Sequence, residues 1–207
     1  MRVAILGGTG KLGLGFAARL SRTNHEVMIG SRDAAKAQEA AKTAGGRVQG
    51  GTNAEAAQWS DIALVSIPYS GHRALLEPLK DQLQNKIIID ATVPIDPNSL
   101  FQTKTESGKS AAEETAAILG GGDVFAAFQT ISHRVLRQPN LSDYDVLVAG
   151  PDGRKGDVMA LTREMGLRAV NAGPLESAGL LERMTLLLIS INKANKVKES
   201  SLKVVGV

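Results

Sequence analysis

The 207-residue chain contains no cysteine. That absence excludes a disulfide framework, thiolate metal sites, thiol catalysis and C-x-x-C redox chemistry together. Aromatic residues make up only 3% of the chain. A nucleic-acid reader interleaves aromatics with a strong basic stripe. Here the net charge is +3, and the one basic cluster is Lys193, Lys196, Lys198 and Lys203. No nucleic-acid partner is expected, and a mildly basic protein suits an acidic small molecule better. Long apolar runs are also missing. The densest, Met184 to Ile191, falls well short of the ~20 residues that span a bilayer, so no membrane partner is expected. A balance of 43% apolar and 22% charged residues rules out wholesale disorder. A core strand begins at the second or third residue, which leaves no room for a signal peptide and makes a cytoplasmic location the expectation.

What is present is alternation. Arg2 to Leu6 is a short apolar run closed by Gly7 and Gly8, which reads as a buried strand. Lys11 to Arg22 carries Leu12, Phe16, Ala17 and Leu20 at helical spacing. Further strands are predicted at His25–Ile29, Arg47–Gln49, Ile62–Ile67 and Lys86–Ile89. Helices are predicted at Asp33–Lys42 and at Gly71–Leu83, with Pro78 as a local flaw in the second. Such alternation builds a parallel sheet with helices on both faces. From Ala91 to Ser107, Pro94, Pro97 and polar residues read as a long loop. Beyond it come a helix at Lys109–Leu119, strands at Val124–Phe128 and Asp145–Ala149, and a turn at Pro151-Asp152-Gly153. A helix at Val158–Met165, a strand at Leu167–Val170, a long helix from Leu175 to about Lys198 and a short strand at Leu202–Val205 complete the chain. The expected fold is α/β: a Rossmann-type, doubly wound, mostly parallel sheet, extended by C-terminal strands and a long C-terminal helix. It forms one domain over 1–207, with a dinucleotide-binding half at 1–90 and a second half at 91–207.

The chemistry sits in Gly8-Thr9-Gly10-Lys11-Leu12-Gly13, a G-x-G-x-x-G. The pattern alone is weak, and a ligand-free glycine turn is its plain alternative. Here it follows a predicted first strand and opens a helix, the context a dinucleotide fingerprint requires. Gly8 allows the tight turn, Gly10 lets a pyrophosphate approach the backbone, and Gly13 lets helix and strand pack closely. Free N–H groups at the helix start then face the phosphates. An NAD site carries an acidic residue at the end of the second strand, to bond the ribose. This chain has Ser31 and Arg32 there, which suit a 2′-phosphate. Thr9 can add a hydroxyl and Lys36 a charge one helical turn on. NADP is therefore favoured, while Asp33 keeps NAD open. The loop Ser66-Ile67-Pro68-Tyr69, with His72 beyond it, lies at the carboxyl edge of the sheet, where ligands bind in such folds.

Acid–base machinery is scarce. Four residues after Tyr69 and Tyr144 stand Arg73 and Val148, so the Tyr-x-x-x-Lys pair of short-chain reductases is absent. Asn192 and Lys196 share an N-x-x-x-K spacing that fits a polar helix face better than catalysis. His25 reads as a turn residue. His72 and His133 can reach a ligand, but the three histidines show no metal-ligand spacing. No catalytic side chain and no metal is assigned. A nucleotide site of this kind suits direct hydride transfer between two bound cofactors, which needs close, parallel rings more than proton donors.

With these features the chain resembles the NADPH-dependent coenzyme F420 reductases, F420 being a deazaflavin. The markers are Met1-Arg2-Val3-Ala4-Ile5-Leu6-Gly7-Gly8-Thr9-Gly10, Gly30-Ser31-Arg32, Ser66-Ile67-Pro68-Tyr69 and Val93-Pro94. Asn171-Ala172-Gly173-Pro174-Leu175 and Leu187-Leu188-Ile189-Ser190-Ile191-Asn192 add to them. The resemblance implies hydride transfer between C4 of NADP(H) and C5 of coenzyme F420, and a homodimer with the C-terminal helix in its interface. It implies that Thr9, Ser31 and Arg32 hold the 2′-phosphate and that Ile67, Pro68, Tyr69, Val93 and Pro94 line the NADP channel. Gln129, Thr130 and Ile131 would lie near the two rings. The chain departs from archaeal members in carrying Gln129 for His and Tyr69 for Trp, and in its basic tail from Lys193. Two other readings stand beside this one: the same scaffold reducing FMN, FAD or another acceptor, and a protein that senses NADP(H) without turnover.

Overall fold

The computed structural model describes residues 1–207. Its first strand, β1 (Arg2–Leu6), runs into the glycine turn and α1 (Lys11–Leu20), then β2 (Glu26–Ser31), α2 (Ala34–Ala44) and β3 (Val48–Thr52). Next come α3 (Asn53–Trp59), β4 (Ile62–Val65), α4 (His72–Leu76) and β5 (Ile87–Asp90). β6 (Ile95–Asp96), β7 (Ser99–Thr103), α5 (Ala111–Leu119) and β8 (Asp123–Ala126) follow. The chain finishes with β9 (Asp145–Val148), α6 (Asp152–Glu164), β10 (Arg168–Asn171) and α7 (Ala178–Asn195). The main sheet has six parallel strands in the order β3-β2-β1-β4-β5-β8. Strand order reverses at β1, between β2 and β4, which is the switch point where ligands bind in doubly wound sheets. β9 and β10 pair in parallel around α6, and an antiparallel bridge between Ala126 and Ala149 joins them to β8. The fold is thus the expected mostly parallel sheet with C-terminal strands and a long final helix.

Alternate residues of the central strands bury on opposite faces, as the two-residue period demands. Val3, Ile5, Ile62, Leu64, Ile87 and Ile89 join the larger core with Phe16, Leu20 and Val158. Ala4, Leu6, Ala63, Val65 and Ile88 join a second core with Leu76 and Leu119. Both faces are covered, which is why these strands read as unbroken apolar runs. A third cluster seats Ala178 and Leu181 of α7 against Ala112 of α5 and Ala126, Leu147 and Ala149.

The structure corrects several expectations. Asn53–Trp59 is a helix that apolar periodicity does not mark; it is started by a capping box between Thr52 and Glu55. The stretch read as one long loop contains the β6–β7 hairpin. The helix expected over Gly71–Leu83 reaches only Leu76 before tightening into a 3-10 turn at Glu77–Leu79, where Pro78 removes a backbone donor. α6 starts at Asp152, earlier than the apolar run suggests. No strand forms at Leu202–Val205. That segment is held by side chains instead: Val204 N donates to Asp145 Oδ2 at 2.6 Å, and the Arg168 guanidinium donates to the Val204 carbonyl.

Glu182 of α7 is 1% exposed, and its Oε1 accepts from Ala111 N at 2.8 Å. Burial pushes this carboxyl up to about 8, against the opposing effect of the backbone N–H, and the Asp90 charge pushes the same way. The folded protein therefore keeps a proton that the unfolded chain releases above the ordinary value of 4.5. The stability this group lends is full below that value and is lost as pH rises towards about 8. Between pH ~5 and ~8 the loss is on the order of 3 kcal/mol. Denaturant unfolding across that range should show a flatter pH dependence for Glu182→Gln than for the parent. Equal slopes would mean that Glu182 is already ionised at low pH.

Candidate functional site

The glycine turn divides its three glycines by role. A Cβ on Gly13 would overlap the Gly8 backbone, and one on Gly8 would stand 2.8 Å from the Ile5 carbonyl oxygen. Gly13 is glycine because α1 rests directly on the turn after β1, and Gly8 because Ile5 and Ile29 of the first two strands close over it. A Cβ on Gly10 meets nothing within 4 Å. Its bareness serves open space in front of the helix, the cradle a pyrophosphate would fill. Gly10 N-caps α1 without a side-chain cap, so the first N–H groups, from Lys11 and Leu12 onward, remain available. Gly7 turns with φ +67°, and Ile67 packs over it, leaving no room for a Cβ. Asn53 completes the turn: its Oδ1 accepts from Gly7 N at 3.0 Å. Thr9 lies half-buried in the same turn.

At the end of β2, Asp33 caps α2, its Oδ1 accepting from Ala35 N at 3.0 Å and Lys36 N at 3.2 Å. The carboxylate that kept NAD open is therefore engaged in the helix start. Ser31 Oγ accepts from Asp33 N at 3.2 Å, orienting the corner. Arg32 is exposed and makes no ion pair, whereas the exposed Lys36 ammonium lies 3.9 Å from Asp33. A free guanidinium and a serine hydroxyl at a helix N-terminus fit a 2′-phosphate.

The second group of expected residues gathers at the carboxyl ends of β4, β5 and β8, which are neighbours in the sheet. Ser66 follows β4, Thr92 lies two residues beyond β5, and Gln129 follows β8. All three are buried, and Ser66 Oγ, Thr92 Oγ1 and Gln129 Oε1 have no hydrogen-bond partner. Each such atom costs about 1–3 kcal/mol unless a ligand or water meets it. Their clustering at one edge of one sheet fits a polar ring system such as nicotinamide. Phe128, buried and edge-to-face on Phe16 at 5.1 Å, adopts φ +71°. For a bulky residue that conformation is strained, by roughly 1–2 kcal/mol. It turns the chain immediately before Gln129.

The structure places the remaining expected residues unevenly. Pro68 is exposed and starts the 3-10 turn Tyr69–Gly71. Tyr69 OH donates to Glu114 Oε2 at 2.8 Å and accepts from Glu106 N at 2.7 Å. Burial, with help from Glu114, pushes the phenol up to about 12, so it remains a donor. Val93 is half-buried, and the buried Pro94 leads directly into β6. Thr130 is buried beside Gln129. Two residues expected at the ligand take other places. His72 is 1% exposed, stacked under Tyr69 at 5.8 Å and bonded to Asp90 and Thr115. Ile131 turns into the main core. The buried residues Asn53, Asp90, Thr115 and Glu114 escaped sequence reading. Only Asn53 had a local signal, the capping box around it. His133 adjoins Lys11, Arg134 and Arg137; burial and these cations lower its pKa, and none of the three pairs with a carboxylate. An anion-attracting surface therefore borders the start of α1.

Comparison with known proteins agrees with this geometry. The family described as "NADP oxidoreductase coenzyme F420-dependent" matches residues 2–94. The F420-dependent NADP reductase of Methanothermobacter marburgensis is 38% identical over 222 aligned positions, covering 99% of this chain and 98% of the relative. That of Methanocaldococcus jannaschii is 34% identical over 220 positions, covering 99% and 98%. A crystal structure from Arthrobacter sp. FB24, described as a putative F420-dependent NADP reductase, superposes with a TM-score of 0.86 at 21% identity, covering 99% of both chains. At that identity it bears on the fold alone. With a glycine cradle, a free arginine at the ribose corner and full-length relatives above 30% identity, the chain belongs to the family of F420-dependent NADP reductases.

Proposed function

We propose that this protein is an NADP-dependent oxidoreductase that passes a hydride between NADP(H) and coenzyme F420. The observation that carries the NADP half is the ribose corner, where Arg32 is free and Asp33 is engaged in capping α2. The acceptor half rests on relatives, 34–38% identical, that are named for F420. Gly8, Thr9, Gly10, Lys11, Leu12 and Gly13 would hold the pyrophosphate, with Ser31, Arg32 and Lys36 at the 2′-phosphate. Ile67, Pro68, Tyr69, Val93, Pro94, Gln129 and Thr130 would border the rings. The two bound cofactors supply the chemistry, a hydride leaving C4 of one ring for C5 of the other. The protein contributes orientation and dryness. The cationic surface of Lys11, Arg134 and Arg137 suits an acceptor with an acidic tail.

The partner proposed beside the cofactors is a second copy of the chain. Leu180 and Leu187 of α7 are 53% and 54% exposed, Ile191 continues their stripe, and Leu100 and Phe101 of β7 are 52% and 77% exposed. β7 packs on α7. Exposed apolar residues of this number on two neighbouring elements suit a partner surface, and a two-fold pairing would cover the α7 stripe with itself. No helix is long and apolar enough to cross a membrane. The same reading places the enzyme in the cytoplasm, where NADP(H) is free.

Mixing the protein with NADPH and adding the deazaflavin, FMN or FAD separately, while following the absorbance of both partners, tests the activity. Exchange with the deazaflavin alone is expected. Exchange with FMN or FAD alone would make it a flavin reductase, and tight NADPH binding without exchange would make it a sensor. Arg32→Asp should weaken NADPH binding by roughly 2–5 kcal/mol and leave NADH nearly untouched. Unchanged NADPH affinity would move the 2′-phosphate elsewhere. In sedimentation, Leu187→Lys should shift a dimeric parent towards monomer; a variant as dimeric as the parent would place the interface on another face.

A further inference from the structure

A fully bonded buried charge lies at the edge of the proposed ring site, outside the set of expected ligand residues. Asp90 ends β5 and is fully buried. Its Oδ2 accepts from Thr115 Oγ1 at 2.6 Å and from His72 Nε2 at 2.8 Å, and its Oδ1 from Thr92 N at 2.8 Å. A carboxylate only accepts, so the His72 proton resides on Nε2. The Asp90 carbonyl accepts from Ala127 N at 3.3 Å and from Gln129 Nε2 at 2.8 Å.

Together these bonds reach all three loops of the proposed ring site. His72 lies beneath Tyr69 and so supports the loop after β4. Thr92 leads into Val93 and Pro94. Ala127 and Gln129 flank the strained Phe128, so two bonds to one carbonyl brace its left-handed turn. The same contact orients the Gln129 amide. Its Nε2 faces a carbonyl and must donate, which leaves Oε1 as the partnerless acceptor. Thr115 ties the assembly to α5, which also carries Glu114, the partner of Tyr69.

We infer that Asp90, backed by His72 and Thr115, is a positioning residue for hydride transfer, setting the loops after β4, β5 and β8 relative to one another without touching either cofactor. The inference rests on the proposed reading of those loops as the ring site. Burying a charge in a core is expensive unless it is fully bonded. Here the carboxylate couples the loop after β4 to the loop after β5 and to α5, and the main-chain carbonyl of the same residue holds the loop after β8. Because the pyrophosphate and 2′-phosphate are held at β1 and β2, distortion of this hub should alter ring geometry far more than nucleotide affinity.

Thr115→Val removes one hydroxyl at nearly constant volume, and His72→Phe keeps the stack under Tyr69 while removing the Nε2 donor. Both should slow single-turnover hydride transfer at saturating cofactors at least tenfold, with the NADPH dissociation constant changed less than threefold. His72→Gln, whose amide nitrogen reaches the Nε2 position, should recover most of the rate. Thermal destabilisation with an unchanged transfer rate per folded molecule would overturn the proposal. So would a parallel loss of NADPH affinity. A second readout needs no acceptor. Hydrogen exchange in Thr115→Val should quicken together in 66–69, 92–94 and 127–131. Quickening confined to α5 would overturn the hub even if the parent exchanges hydride normally. Failure of the parent to exchange hydride would count against the proposed function alone, and the exchange pattern would still decide the hub.

Discussion

α1 rests directly against the end of β1, with the Gly13 Cα in contact with the Gly8 backbone. That backbone-to-backbone approach admits no side chain, and much of the molecule is arranged around it. It brings the helix N-terminus to the switch point of the sheet, so its free N–H groups face the crevice rather than solvent. Beside it Gly7 adopts a left-handed turn under Ile67, and Asn53 from the β3–β4 crossover accepts from its N–H. The nucleotide cradle is therefore a consequence of how closely a helix and a strand can meet.

Two electrostatic solutions sit on either side of that contact. At the end of β2, charge is left open: Asp33 Oδ1 is taken up by backbone donors and Arg32 makes no ion pair. At the ring side, charge is enclosed. Burial would raise the Asp90 carboxyl, but the His72, Thr115 and Thr92 bonds together bring it below the ordinary carboxylate range. Burial likewise works to raise Glu114, and bonds from Ser107 and Tyr69 again prevail. An exposed cation can meet a phosphate that arrives from solvent. A buried, fully bonded carboxylate instead ties neighbouring chain segments together.

The β6–β7 hairpin links these regions to the outer surface. It follows Pro94 at the ring side, packs on α7, and carries Leu100 and Phe101 outward. Tyr69, Glu106 and Glu114 fasten the segment after it. The exposed apolar residues of β7 are thus continuous along the chain with the segment that begins at Pro94.

The sequence by itself determined the order of strands and helices through Asp90 except for α3, together with the glycine turn and the Ser31-Arg32 corner. These are local: a strand period, a turn that only glycine permits, and residues adjacent in the chain. It also pointed to the loop at Ser66, because a strand end can be counted, and to Val93 and Gln129 through the family resemblance alone. Tertiary structure decided what those loops lean on. Asp90, His72 and Thr115 are far apart in the chain and have no shared motif, and their meeting depends on β5, α4 and α5 packing together. His72 looked like a ligand because a histidine near a strand end is chemically able to be one; in the fold it is buried under Tyr69 and bonded to Asp90 and Thr115. Ile131 carried the same ambiguity, and the turn at Phe128 sent it into the core. The tail at Leu202–Val205 had the apolar pattern of a strand, but Asp145 and Arg168 took up its backbone groups first. Local sequence sets which backbone geometries are available; long-range packing sets which side chains are left facing a ligand.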